Sequence, residues 1–275
     1  MTNPTIGVFD SGFGGLTVLR ALIQRLPQAR FAFLGDTARL PYGSKSRRTI
    51  ARYAAQSAQF LVREQGAEFL VIACNTASAL ALDAIQDAVP VPVLGVIEPG
   101  AEAARAASRT GDVLVIATDA TVQSHAYATA CQAHGLRVLE KACPLLVPLV
   151  EEGWTDHPVT AEVLRIYLDE LIAEAAFEGL KPDTLVLGCT HYPLLRPLLK
   201  GVITSTVTSG MRVIDSAEAV AEAAVRLFHP RQTGNLPQDA QLRFFATDSV
   251  EKFERLGSRF LERPVGNVEL VDLGG

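Results

Sequence analysis

The chain has 275 residues, of which 48% are hydrophobic and 20% are charged, and its net charge is −5. This composition is typical of a globular protein with a large core, and the acidic balance argues against a nucleic-acid partner. No apolar run is long enough to span a membrane, and residues 1–5 lack the pattern of an export signal, so we expect a cytoplasmic protein with no membrane partner.

Short apolar runs alternate with amphipathic stretches along the chain, which predicts parallel β-sheets covered by helices on both faces. A later strand–helix–strand pattern is interpreted as a peripheral extension. The predicted strands are 5–9, 31–34, 69–73, 91–96, 113–117, 137–140, 184–188 and 213–214, the predicted helices are 16–26, 49–65, 77–88, 101–107, 159–178 and 217–228, and the extension comprises 242–246, 250–261 and 268–271.

A faint internal repeat divides the chain into two similar halves. Aligning Asp10 with Thr118, each at the end of a strand pattern, gives an offset of 108 residues, and Cys74 and Cys189 are 115 residues apart. We therefore predict an α/β fold of two similar doubly wound lobes with mainly parallel sheets, related by a pseudo-two-fold axis, with the active site in the cleft between them. The first lobe is assigned residues 1–97 and 208–275 and the second 98–207, with crossings at 98–100 and 204–210.

Cys74 and Cys189 are candidate catalytic residues, because each follows a buried strand pattern. Ligands of open α/β sheets bind beyond the carboxyl ends of the strands, so both thiols are expected to face one cleft. Two thiols on opposite faces of a carbon atom can remove a proton from one face and return one to the other. A thiol of ordinary pKa, about 8.5, is mostly protonated at neutral pH, so each needs a helper. Asp10 is expected beside Cys74, and His191 follows Cys189 by two residues.

The other two cysteines, Cys131 and Cys143, are interpreted as small buried residues. All four are expected to be reduced, since the chain carries no export signal. The histidines are scattered and no Cys-x-x-Cys pair is present, so we expect no metal site.

A glycine-rich loop, Asp10-Ser11-Gly12-Phe13-Gly14-Gly15, follows the first strand pattern. A dinucleotide fingerprint would need a further glycine at position 17, which is Thr17, so we favour a site for a small anion such as a carboxylate over a nucleotide site. The turn at Tyr42-Gly43 is explained equally well by ligand binding and by packing. Either Glu151 or Glu152 is a candidate to orient His191, as a carboxylate orients a histidine base.

These motifs together resemble those of the glutamate racemases, in the cofactor-independent aspartate/glutamate racemase superfamily. The resemblance extends over nearly the whole chain, and retention of both cysteines separates the chain from the single-cysteine decarboxylases of the superfamily. The matching motifs are Gly7–Gly15, Gly35-Asp36, Pro41-Tyr42-Gly43, Ala73-Cys74-Asn75-Thr76-Ala77, Glu98-Pro99-Gly100, Cys143-Pro144 with 147–151, and Gly188-Cys189-Thr190-His191-Tyr192-Pro193.

The resemblance implies proton transfer at the α-carbon of glutamate by two bases, Cys74 and Cys189, without a cofactor. It also implies that Asp10 assists Cys74, and that His191, supported by Glu151, assists Cys189. The family's usual role is to supply D-glutamate for peptidoglycan in the cytoplasm. The implied substrate-binding residues are Asp10, Ser11, Tyr42, Gly43, Asn75, Thr76, Thr190 and His191.

Three alternatives remain open from the sequence. Another amino-acid racemase, with aspartate as its substrate, would use the same cysteine motifs. A nucleotide-binding module would use the glycine-rich loop but would leave the paired cysteines unexplained. A cysteine hydrolase needs one nucleophile and gives no reason for a second matched cysteine. A homodimer is held as a hypothesis for the assembly.

Overall fold

The protein's structure is a computed structural model, which describes residues 4–206, 210–228 and 242–274. In these ranges the strands form two sheets in which all neighbours are parallel. The strands are β1 (Thr5–Asp10), β2 (Arg30–Gly35), β3 (Phe69–Ile72), β4 (Val93–Gly95), β5 (Asp112–Ala117), β6 (Arg137–Ala142), β7 (Thr184–Gly188), β8 (Arg212–Asp215), β9 (Leu242–Ala246) and β10 (Val268–Leu270).

Helices connect these strands, and most begin and end within a few residues of a predicted range. The predicted helix 77–88 is two helices that meet at Ala81, and 3-10 turns cover Thr37–Arg39, Tyr42–Ser44 and Tyr192–Leu195. The helices are α1 (Leu16–Arg25), α2 (Arg47–Arg63), α3 (Asn75–Leu80), α4 (Leu82–Ala88), α5 (Ile97–Ala107), α6 (Asp119–Gln123), α7 (Ala126–Ala133), α8 (Leu146–Glu151), α9 (Pro158–Phe177), α10 (Arg196–Thr206), α11 (Ser216–Leu227) and α12 (Val250–Leu261).

The core of each lobe lies between its sheet and the helices on either side. Every residue of β3 in one sheet and of β5 and β7 in the other is buried. A central strand of a parallel sheet is covered on both faces, so it needs apolar residues at nearly every position. This requirement is why continuous apolar runs predicted these strands to within a residue or two.

The two sheets repeat one strand order, which confirms the prediction of two similar doubly wound lobes. The first sheet has the order β10-β9-β2-β1-β3-β4 and the second has the order β6-β5-β7-β8. The segment β2-β1-β3-β4 therefore corresponds to β6-β5-β7-β8. In this order the chain passes from one side of β1 to the other, and ligands bind at the carboxyl ends next to such a switch point. Cys74 follows β3 and Cys189 follows β7, at equivalent positions of the two sheets.

The return from the second lobe to the first differs from the predicted division of the chain. The assigned boundary at 207/208 lies outside the described residues. However, β8 pairs with β7 (Val186 opposite Ile214), so residues 212–215 belong to the second sheet although the sequence placed 208–275 in the first lobe. The sequence of a strand this short does not indicate which sheet the strand joins. The outward crossing at 98–100 lies inside α5 instead of forming a loop.

The C-terminal segment completes the first sheet, and the interpretation as a peripheral extension needs correction. β9 pairs with β2 (Phe33 opposite Phe244) and β10 pairs with β9, so the segment widens this sheet from four strands to six. Phe253 of α12 is fully buried, and its ring lies 5.9 Å from that of Phe33. Among the described residues, no helix is both long and apolar enough to cross a membrane.

Candidate active site

A cavity of about 280 Å³ lies at the carboxyl ends of the central strands of both sheets. This volume suits a small metabolite, since drug-sized ligands occupy about 300–1,000 Å³. Every residue that the sequence analysis assigned to the site lines this cavity. These residues are Asp10, Ser11, Tyr42, Gly43, Cys74, Asn75, Thr76, Glu151, Cys189, Thr190 and His191.

Cys74 lies where β3 ends and caps the first turn of α3. Its Sγ accepts the amide hydrogen of Ala77 at 3.4 Å and donates to Ser11 Oγ at 3.3 Å. Burial and the charge of Asp10 raise the pKa of the Cys74 thiol to about 12, although these hydrogen bonds act in the opposite direction. At neutral pH Cys74 is therefore a protonated thiol, which suits it to donate a proton.

Cys189 lies in a different environment, next to a histidine. Its Sγ is 3.9 Å from Nδ1 of His191, and Nε2 of His191 is 3.4 Å from Oε1 of Glu151. The Nε2–Oε1 contact has the length of an ion pair but not the geometry of a hydrogen bond. Burial alone would lower the pKa of His191, but the adjoining Cys189 sulfur and Glu151 carboxylate raise it to about 10. His191 is therefore an imidazolium at neutral pH.

Glu151 rather than Glu152 supports His191. Glu152 is exposed, whereas Glu151 lies at the end of α8 and faces the cavity. Burial acts to raise the pKa of Glu151, but contact with His191 and with Lys252 holds it below its usual value. The carboxylate is therefore ionised and available to balance the imidazolium.

Asp10, at the end of β1, is almost completely buried. Its Oδ2 accepts the amide hydrogen of Gly12 at 2.9 Å, and its Oδ1 has no hydrogen-bond partner among the described residues. Burial raises the pKa of this carboxyl, while the charge of His191 acts to lower it. Because the charge of Asp10 also raises the pKa of Cys74, Asp10 influences groups in both halves of the site, and one helper for each thiol stays a prediction.

The glycine-rich loop brings the two lobes into close contact. A Cβ atom at Gly14 would lie 2.6 Å from Nδ1 of His191 and closer still to Thr190 Oγ1, both of the second lobe. Thr17, at the position where a nucleotide fingerprint would have glycine, donates from Oγ1 to the carbonyl oxygen of Thr190 at 3.1 Å. The residues of this loop therefore form part of the contact between the lobes and also line the cavity.

Amide and hydroxyl groups cover the wall of the cavity behind Cys74. Tyr127 donates to Oδ1 of Asn75 at 2.7 Å, which leaves the buried Nδ2 of Asn75 without a partner among the described residues. The hydroxyl of Thr76 lies 3.1 Å from that of Thr118 and 3.3 Å from that of Thr121, across the cleft. Buried donors of this kind suit a ligand with carboxylate groups.

Tyr42 lines the cavity, but its hydroxyl does not face a ligand. It donates to Oδ2 of Asp36, a fully buried carboxylate that also accepts from Arg39 Nε at 2.8 Å and from Thr247 Oγ1 at 2.9 Å. Asp36 directly follows β2, but it does not line the cavity and lies behind the loop that carries Tyr42 and Gly43. Of the two explanations that the sequence left open for the Tyr42 hydroxyl, the structure favours packing.

We expect Tyr42→Phe to lower the free energy of unfolding by about 1–3 kcal/mol, because Asp36 loses a donor while remaining buried. Urea unfolding monitored by circular dichroism measures this loss. Tyr53→Phe is the matched control, since Tyr53 packs against the ring of Tyr42 but is only partly buried. Equal losses in the two variants would contradict the prediction.

The sequence analysis missed three contributors to the site, Thr121, Tyr127 and Lys252. Thr121 and Tyr127 follow the Thr118 strand end, where the repeat with Asp10 already indicated the second half of the site. Lys252 carried no such signal, because α12 reaches Glu151 at the edge of the cavity only through folding of the first lobe. Local sequence predicts a helix directly after each cysteine, and for Cys189 this is wrong: α3 begins at Asn75, but Cys189 is followed by a turn and then the 3-10 turn Tyr192–Leu195, with α10 starting at Arg196.

Comparison with known proteins was made on both sequence and structure. Residues 6–224 match the model of the Asp/Glu/hydantoin racemase family. The chain is 52% identical to a glutamate racemase of Koribacter versatilis, over 99% of this chain and 98% of the relative. It is 48% identical to a glutamate racemase of Syntrophus aciditrophicus, over 98% and 96% of the two chains.

A solved structure is similar over nearly the full length. The crystal structure of glutamate racemase from Francisella tularensis in complex with D-glutamate matches with a TM-score of 0.86 and 35% identity, over 99% of each chain. The likeness therefore includes both lobes and the cleft between them.

Proposed function

The chain belongs to the Asp/Glu/hydantoin racemase family and is a racemase, an isomerase, and we propose that it interconverts L- and D-glutamate by proton transfer at the α-carbon between Cys74 and Cys189. The observation that carries this mechanism is the placement of two thiols at equivalent strand ends of two equivalent sheets, both facing one cavity. Such an arrangement can offer a sulfur to each face of one carbon atom.

The two thiols have different surroundings, and the reaction needs one of them to act as a base while the other acts as an acid. Cys74 is held as a thiol by burial and by Asp10, while Cys189 lies beside the His191 imidazolium. In this resting form Cys189 removes the α-proton of one enantiomer and Cys74 protonates the opposite face. The other enantiomer requires the exchanged form, in which Cys74 is the thiolate and Cys189 the thiol. To reach this exchanged form, Cys74 gives its proton to Asp10 and the His191 imidazolium gives its proton to Cys189, and the reverse transfers restore the resting form.

Hydrogen-bond donors are proposed to balance the charge of the substrate, since His191 is the only cation among the described residues that line the cavity. The free Nδ2 of Asn75, the hydroxyls of Thr76 and Thr190, and the backbone of the glycine-rich loop line the cavity and are proposed to hold the carboxylates. Donors placed around the α-carboxylate also stabilise the carbanion-like transition state in a site that excludes water. We propose that neither a metal nor an organic cofactor takes part.

Glutamate is proposed over aspartate because the relatives of highest identity given above are glutamate racemases. The Francisella structure, which matches over both lobes, holds D-glutamate. A glutamate racemase supplies D-glutamate for peptidoglycan, and we propose this role in the cytoplasm. The homodimer stays a hypothesis.

The experiment that tests this function is proton exchange in deuterated water with chelator-treated, dialysed protein. D- and L-glutamate should each lose the α-proton and racemise, without any absorbance from pyridoxal phosphate. L-Aspartate at the same concentration is the matched alternative substrate. Restoration of lost activity by a metal or by pyridoxal phosphate would refute cofactor independence, and faster racemisation of aspartate than of glutamate would refute the substrate.

The protonation of His191 gives a pH prediction. NMR titration should show that the imidazolium of the wild type persists above pH 9, since its pKa is raised to about 10. By linkage, its contribution to stability is complete below the unfolded pKa of about 6.5 and disappears as the pH rises through about 10. Glu151→Gln should lower the pKa of His191, because the variant removes a neighbouring negative charge.

Glu152→Gln is the matched control for this titration, since Glu152 is the exposed neighbour of Glu151. It should leave the His191 titration within about 0.3 pH units of the wild type, a small shift compared with the usual scatter of about one unit for histidines in folded proteins. Titration of wild-type His191 near pH 6.5 would show that the assigned charge pairs do not form.

A further inference from the structure

Lys252, on α12, reaches a residue of the second lobe at the edge of the site. Its Nζ lies 3.7 Å from Oε2 of Glu151, while Oε1 of the same carboxylate lies 3.4 Å from Nε2 of His191. Each oxygen of Glu151 therefore faces a different cation. A carboxylate with partners at both oxygens has a restricted orientation, whereas one with a single partner can turn about its last torsion.

The position of α12 is determined by packing against the first lobe and against His191. Phe253 is buried in the core, and the ring of Phe260 lies edge-on to His191 with 5.0 Å between centroids. The ring of Phe13 lies between these elements, 5.7 Å from Phe260 and 6.1 Å from His191. The Nζ of Lys252 is 5.6 Å from the centre of the Phe13 ring. The ammonium group is thus held between an aromatic face and Glu151.

We propose that Lys252 is a positioning residue for the reaction: by binding Oε2 of Glu151 it turns Oε1 toward His191 and thereby orients the imidazole toward Cys189. The inference rests on the proposed function. Through this contact, α12 of the first lobe helps to position the residues that support Cys189 in the second lobe. Lys252, Glu151, His191 and Cys189 form a line of contacts in which the Glu151 carboxylate lies between two cationic groups.

A purely structural role for this ion pair is disfavoured by its exposure. The side chain of Lys252 is 44% exposed, and ion pairs with exposed partners contribute little to stability. The loss of Lys252 should therefore change turnover more than it changes unfolding. A second role, attraction of an anionic substrate by the ammonium group, predicts a change in KM that high salt suppresses.

The test uses Lys252→Met, which removes the charge and keeps the length, with Lys252→Arg as the conservative variant. Arg255→Met on the same helix removes an equal charge from an exposed residue and serves as the control. Lys252→Met should lower kcat about tenfold in both directions with KM changed less than twofold, an effect of the size that contacting residues show in coupling experiments. Lys252→Arg should restore at least half of the wild-type kcat, and Arg255→Met should keep it.

A double-mutant cycle with Glu151→Gln separates the two roles of the ammonium group. If Lys252 acts through Glu151, adding Lys252→Met to Glu151→Gln should lower kcat no further. An equal drop in both backgrounds, or a rise in KM that is lost at high salt with kcat unchanged, would overturn the proposal. Unchanged kcat and KM in Lys252→Met would overturn it as well.

Crystal structures of the variants give a readout that does not depend on activity. The Glu151 Oε1 to His191 Nε2 distance should stay below about 4 Å in the wild type and in Lys252→Arg, the limit for an ion pair, and should lengthen in Lys252→Met. An unchanged carboxylate in Lys252→Met would overturn the proposal. Absence of racemisation by the wild type would instead refute the proposed function, while the structures would still decide the position of Glu151.

Discussion

Replacement of Cys74 or Cys189 by serine is expected to lower racemisation of glutamate in both directions by at least about 1,000-fold, within the range attributed to positioned general acids and bases. A serine hydroxyl is a far weaker acid than a thiol, so it neither removes the α-proton as an anion nor donates one readily. Each direction of the reaction needs both groups, and the loss of one should therefore stop both directions.

The two serine variants should differ in the exchange that they retain. Each keeps one sulfur, which can still exchange the α-proton on a single face with solvent deuterium. Cys74→Ser and Cys189→Ser should thus exchange opposite enantiomers of glutamate without racemising them. Mass spectrometry of each enantiomer in deuterated water, together with circular dichroism at fixed glutamate concentration, measures exchange and racemisation separately.

Cys131→Ala provides the control for these variants. Cys131 is fully buried in α7 and is not among the residues that line the cavity. Its replacement should reduce stability through lost packing while kcat stays within about twofold, because the Cys131 side chain does not line the cavity. Near wild-type racemisation by either serine variant, with the fold intact by circular dichroism, would refute the two-base assignment.

Gly14→Ala is expected to lower kcat/KM by about 100-fold or more. The backbone of Gly14 is not in the left-handed region, so alanine is not excluded by conformation. The added methyl group would instead lie 2.6 Å from Nδ1 of His191 and in steric conflict with Thr190 Oγ1. Either the loop or these two side chains must move, and displacement of a catalytic group by about 1 Å can cost 10²-fold in rate.

Gly201→Ala is the matched control, since a methyl group at Gly201 of α10 meets no atom within 4 Å. It should leave kcat/KM unchanged and should not lower the unfolding temperature. For Gly14→Ala we expect a loss of about 1–3 kcal/mol in unfolding free energy from overpacking. Activity of Gly14→Ala within threefold of the wild type would show that His191 need not hold its position.

The strand ends illustrate how far local sequence can lead to a site. Continuous apolar runs end at Asp10, Cys74 and Cys189, and parallel strands bring their carboxyl ends to one edge of a sheet. Once the runs are assigned as parallel strands, the polar residues that follow them must lie together. The position of the cavity and the polar residues that line it at the strand ends were predictable for this reason.

Hydrogen-bond partners are harder to predict from local sequence than strand ends. Tyr42 was placed near the cavity correctly, but the partner of its hydroxyl, Asp36, depends on how a loop folds back over the end of β2. The charge of Asp10 reaches His191 as well as Cys74 because the lobes meet at the glycine-rich loop. Both facts depend on distances of a few ångström across the cleft, which residue spacing does not encode.

The sequence by itself determined the parallel α/β class, the duplication and the identity of the paired thiols, because burial on both faces of a sheet imposes apolar strands and leaves polar residues at their ends. Only the tertiary structure decided that β8 joins the second sheet and that β9, β10 and α12 complete the first. It also decided that Lys252 reaches Glu151. Pairing of edge strands and contacts of helices from distant parts of the chain follow from packing of the assembled lobes, so no local pattern in the sequence records them.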